Sequence, residues 1–179
     1  MEHDNHDQNE HHDSHVMNTK KKGVGEFLPL FLVVLAISAM TYVWMYLSGL
    51  AGWRLAMQGW MGFFFLIFGS FKLIDWKGFV DMYVDYDIIA KRSRAYAFAY
   101  PLIELALGFA YVTSMYVFEA NIATVIVMGI GTIGVTKAVM NKTKIRCACL
   151  GAVIKLPMTT VTIIEDVGMG AMALIMLLV

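Results

Sequence analysis

Five long apolar stretches decide what this chain can fold into. They span residues 27–47, 55–74, 95–116, 122–140 and 155–179. Each is about as long as the roughly 20 helical residues needed to cross a hydrocarbon layer of about 30 Å. The runs are solidly apolar rather than alternating, which argues against a membrane β-barrel. Hydrophobic residues are 59% of the chain before its 15 Gly are counted. Soluble domains reach only about 45–50% with Gly included. A water-soluble chain of 179 residues could not hide that much apolar surface. Lys plus Arg balance Asp plus Glu at 14 each, so a basic nucleic-acid binder is excluded with the soluble enzyme and the disordered chain. The expected fold is all-α, a polytopic transmembrane bundle of five helices over 27–179 with the lipid bilayer as its surroundings. Residues 1–26 form a polar tail expected to be disordered and cytoplasmic. The first apolar run is too long for a signal h-region and lacks a small-residue cleavage site, so it reads as a retained span.

Charge sets the expected orientation. With five spans, Lys20, Lys21 and Lys22, the loop near 72–94 and the loop near 137–155 share one side. That side carries thirteen of the fourteen Lys and Arg, leaving Arg54 alone opposite. The positive-inside rule places the N-terminus and both long loops in the cytoplasm and the C-terminus in the periplasm of a bacterial inner membrane. Within residues 76–94, Phe79, Met82, Tyr83, Tyr86 and Ile89 recur at helical spacing. A short interfacial helix with its aromatics at headgroup level is one reading, and a polar loop with aromatic anchors is the other.

Two groups of metal-competent residues stand out. All five His, His3, His6, His11, His12 and His15, lie in the first 15 residues, interleaved with Asp and Glu. Imidazole suits Zn and Cu, and no finger or zincin spacing is present, so the tail fits an open, exchangeable metal site or a plain polar tail. Cys147 and Cys149 are the chain's two Cys and sit beside Lys144, Arg146 and Lys155. Nearby positive charge favours thiolate. A Cys-x-Cys thiolate pair can hold Cu(I) or contribute two ligands to Zn. It can also exchange electrons with a partner, its own small-ring disulfide being strained and oxidising. A reducing cytoplasm favours metal binding or transient exchange over a standing disulfide.

Charges also fall inside the apolar runs. Glu104, Glu165 and Asp166 are near mid-depth, where a carboxylate must face the bundle interior or a wet cavity. Lys72, near the end of the second run, can pair with Glu104 or with Glu165. These four residues define an expected polar cavity beneath the Cys pair, either a route for a cation or proton or an internal salt bridge that orients helices. No nucleotide-binding glycine loop, membrane His for haem, or Ser-His-Asp set outside the tail is present. No catalytic signature assigns the chain a reaction.

Three segments carry a resemblance. GSFKL at 69–73, PLIELALG at 101–108 and CACLG at 147–151 occur in that order. From about Gly69 to Val179 the chain resembles the MauE/DoxX-like family of redox-associated membrane proteins. The resemblance implies a membrane bundle with Cys147 and Cys149 as a redox pair. It also implies an accessory role in methylamine metabolism, in maturation and disulfide formation of a methylamine dehydrogenase subunit. Three functions are carried forward. The first is handling of soft metal ions or thiols through a cytoplasmic Cys-x-Cys, with a metal-handling or thiol–disulfide partner. The second is a redox maturation accessory for an exported protein, and the third a non-catalytic assembly factor.

Overall fold

The computed structural model describes residues 28–85, 87–140 and 158–179, leaving aside the side chains of 138, 139, 158–162 and 164. Six helices are described: α1 (Leu28–Ser48), α2 (Trp53–Ile74), α3 (Trp76–Tyr83), α4 (Arg94–Val112), α5 (Val117–Met140) and α6 (Met158–Leu178). The class is all-α, and the count is six rather than the expected five. The added helix is α3, at eight residues about 12 Å long and too short to cross. Among the described residues, four helices are long and apolar enough to cross a membrane: Leu28–Ser48, Trp53–Ile74, Arg94–Val112 and Val117–Lys137. This makes the chain a multi-pass membrane protein. α6, at 21 residues, is also of spanning length and holds Glu165 and Asp166 within its apolar run. The polar tail and the Cys147–Cys149 segment lie outside the described residues.

α2 and α4 form the centre. On α2 the buried residues are Gln58, Met61, Gly62, Phe65, Phe68, Gly69 and Lys72, together with Gly59 and Phe64. On α4 they are Ala97, Tyr100, Pro101, Glu104, Leu107, Gly108 and Tyr111. Both sets repeat at three- and four-residue steps, so each is one stripe of its helix. The stripes meet closely because both carry glycine at the crossing. A Cβ on Gly108 would lie 2.9 Å from the Gly62 carbonyl oxygen and from the Leu66 backbone nitrogen. A Cβ on Gly62 would lie 2.8 Å from Val112. Such small-residue contacts let membrane helices pack backbone to backbone. α5 packs most extensively on α6, α4 bridges to α5, and α1 leans on α2. α1 fully buries only Ile37 and Thr41; Leu30, Val33 and Trp44 pack in part on the bundle, and most of its remaining apolar side chains face outward, as suits lipid contact.

α2 ends at Ile74 as expected, and the larger departure from the expected limits is between α4 and α5. Asp75 ends α2 with a non-helical backbone and begins α3, its Oδ1 accepting from the Gly78 N–H at 3.1 Å. That N-terminal cap separates α3 from α2. Between α4 and α5 the turn occupies only 113–116, where Ser114 and Tyr116 take φ of 56° and 54°. The third helix therefore stops at 112 rather than 116, and the next starts at 117 rather than 122. Gln58 Nε2 holds this turn, donating to the Tyr111 carbonyl at 2.7 Å and to Ser114 Oγ at 2.8 Å. Tyr111 OH donates to Asn121 Oδ1 at 2.8 Å and contacts Thr124 Oγ1 at 3.0 Å. This polar knot ties α2, α4 and α5 together about 21 Å along α2 from Lys72.

A cavity with an ion pair between α2, α4 and α6

One ridge of α2 presents Phe64, Phe68 and Lys72, each four residues apart. One ridge of α4 presents Tyr96, Tyr100 and Glu104 at the same spacing. Side chains so spaced stack on one face, and these ridges carry the site. The Lys72 ammonium donates to Glu104 Oε1, and the two side chains are 8% and 3% exposed. Lys72 Nζ also lies 4.9 Å from the Tyr100 ring centre and 5.6 Å from that of Phe79. The ammonium is thus held by one carboxylate and two aromatic faces, where the cation–ring attraction is strengthened by loss of water.

Lys72, Glu104, Glu165 and Asp166 line one cavity of about 20 Å³, room for a water molecule. Phe64, Phe68, Phe79, Tyr83, Tyr100, Met128 and Gly131 complete its wall. Gly131 on α5 makes space for Asp166, because a Cβ there would lie 2.9 Å from Asp166 Oδ2. The second oxygen of Glu104, Oε2, is buried and makes no hydrogen bond. Four helices of the bundle, and α3 as a cap, therefore converge on a polar pocket inside the apolar region.

α3 corrects an expectation. Phe79 and Tyr83 do not face outward, being 1% and 3% exposed. They turn into the bundle, and Phe79 stacks on Tyr83 at 5.1 Å while Tyr83 packs on Tyr100 at 4.6 Å. The Trp76 indole N–H donates to the Phe98 carbonyl at 3.0 Å, beside the turn of α4 that Pro101 opens. Arg94 and Asp81 pair at the surface and join α4 to α3. Of the aromatic wall, Phe79 and Tyr83 were singled out from sequence, whereas Phe64, Phe68 and Tyr100 were not. The signal was present in the four-residue spacing of 64, 68 and 72, of 79 and 83, and of 96, 100 and 104.

Among the described residues no group of three or more His, Cys, Asp or Glu is arranged to hold a metal ion. Cys147, Cys149, His3, His6, His11, His12 and His15 lie outside those residues. Two of the segments that carry the family resemblance meet in the bundle. Gly69 of GSFKL faces Leu105 and the Pro101 carbonyl of PLIELALG, and Lys72 of the first pairs with Glu104 of the second. No curated protein and no solved structure matches the chain. The family described as "Methylamine utilisation protein MauE" matches residues 52–179, from the residue before α2, through every helix that lines the cavity, to the residue after α6. The chain belongs to the MauE family.

Proposed function

We propose that the protein is a membrane accessory factor of methylamine utilisation that exchanges thiols through Cys147 and Cys149. The observation that carries this reading is the extent of the family match, which takes in both the Lys72–Glu104 pair and the Cys-x-Cys segment. The chemistry is a two-electron exchange. The Cys147 thiolate attacks a partner disulfide, a mixed disulfide forms and one partner sulfur leaves as thiolate. The Cys149 thiolate then attacks the Cys147 sulfur, closing the internal S–S bond and releasing the partner's second sulfur; the partner gains two electrons and the two protons, and the glutathione of the reducing cytoplasm returns the pair to thiols. The basic neighbours Lys144, Arg146 and Lys155 favour the thiolate form. The bilayer is the cytoplasmic membrane, oriented with the basic loops and the N-terminus inside.

A second reading rests on a separate observation, the five His clustered in the first 15 residues. In it the tail gathers Cu(I) or Zn and the Cys pair receives the ion. Replacing both Cys by Ser decides between them, read by growth on methylamine and by the metal content of the purified protein. The exchange reading expects loss of growth on methylamine, with the metal content of purified protein unaltered. The metal reading expects a stoichiometric ion in the wild type that the double variant lacks. Full growth of the double variant with unaltered metal content contradicts both and leaves an assembly role.

A further inference from the structure

Glu104 is 3% exposed, and its Oε2 faces a cavity with room for one water while making no hydrogen bond. A buried carboxylate oxygen without a donor is costly, and a cavity of this size with several polar groups around it is suited to an ordered water. The titratable and charged groups facing Glu104 come from every element around it. They are Lys72 on α2, Tyr83 on α3, Tyr96 and Tyr100 on α4, and Glu165 and Asp166 on α6, while α5 contributes the uncharged Met128 and Gly131. The Lys72 ammonium already fills the aromatic corner of the pocket, so a second metal-sized cation would meet its repulsion. A proton meets the same repulsion but needs neither space nor a coordination shell, and the α6 carboxylates Glu165 and Asp166 on the cavity wall offset the ammonium's charge.

We infer that this pocket is a membrane-buried proton-binding site, in which Glu104 Oε2 takes up one proton from water while Lys72 remains an ammonium on Oε1. The exchange is a single proton transfer: bulk water supplies the proton, the carboxylate becomes a carboxylic acid, and no electron moves. The new O–H donates to the cavity water or to an α6 carboxylate, which converts an orphaned acceptor into a donor. Other buried polar side chains, including a separate acid, lie beyond the Tyr83 wall of the pocket. Tyr83 lines the cavity and its ring lies 6.4 Å from that of Tyr96. Asp87, at the turn beyond α3, is fully buried, with Oδ1 accepting from the Ile89 and Ala90 N–H groups and Oδ2 without a partner. Protonation alters the charge between α4 and α6 and so bears on how firmly α6 is held. Proton binding stands independently of any thiol chemistry.

The test is infrared difference spectroscopy of the full chain in lipid nanodiscs, recorded across pH and reading the carbonyl stretch of protonated carboxyl groups. One pH-dependent band is expected in the wild type. It disappears in Glu104→Gln, shifts in frequency in Glu104→Asp, and moves its midpoint by about one pH unit in Glu165→Gln, as expected for removal of a neighbouring negative charge. In Lys72→Met the band is present throughout the accessible range, because the lone buried carboxylate holds its proton. Asp87→Asn is the control and leaves the band in place. A band that survives in Glu104→Gln overturns the proposal, as does one lost in Asp87→Asn. If Glu104→Gln fails to fold, an unshifted band in Glu104→Asp overturns it equally. Loss of growth on methylamine in a Cys147→Ser/Cys149→Ser variant with an intact band separates this site from the thiol reading.

Discussion

Taking an ammonium and a carboxylate out of water costs several kcal/mol per ion, so the Lys72–Glu104 pair is stable only as a pair. Lys72→Met alone leaves Glu104 buried without its partner and is expected to cost about 3–5 kcal/mol. Adding Glu104→Leu to it removes the orphan and is expected to recover most of that loss. Unfolding midpoints of the wild type, both single variants and the double variant in one detergent check this. Additive losses would show that the two side chains do not act together. That Lys72 needs an acid was legible in the sequence, but which acid was not. Glu104 and Glu165 are both near mid-depth, and both reach the cavity. The choice was made by the glycine crossing of α2 and α4, whose alignment puts 72 opposite 104 and leaves Glu165 across the cavity on α6.

At the scale of the element, glycine and aspartate do what the apolar pattern cannot. Gly108→Val drives a branched side chain into the Gly62 carbonyl and the Leu66 backbone, and about 1–3 kcal/mol of destabilisation is expected from such overpacking. Asp75→Ala removes the cap that starts α3 and is expected to cost about 0.5–2 kcal/mol. Since α3 closes the cavity with Phe79 and Tyr83, the same variant should admit more water there. Faster hydrogen exchange at the N–H groups of residues 78–84 measures it, and unaltered exchange would show that α3 is held by its packing alone. Helix existence was readable from apolar length. The ends at Val112 and Val117 were not, because the turn between them holds no Gly or Pro and bends instead at Ser114 and Tyr116. The helical spacing of Phe79 and Tyr83 was also readable, but periodicity identifies a face and not what that face meets. Lipid was expected and the bundle interior was found.

For the whole molecule, apolar run length carried the multi-pass class, and the order of short motifs carried the family. The pairing of α2 with α4 and of α5 with α6 was hidden, because lipid and protein interior are equally apolar and hydropathy does not separate them. Orientation rests on charge, and it is checked by a thiol reagent that cannot cross the bilayer. In spheroplasts Cys147 and Cys149 are expected to react only after permeabilisation, and reaction in intact spheroplasts would place them on the periplasmic side. The central claim, that this thiol pair exchanges with a partner, is tested most directly by trapping. Acid quenching of cells carrying Cys149→Ser, grown on another carbon source and then exposed to methylamine, is predicted to capture a disulfide-linked adduct through Cys147 that dissolves on reduction and is missing from the double Ser variant. The absence of any adduct from either single Ser variant, with methylamine growth retained in the double variant, would contradict it.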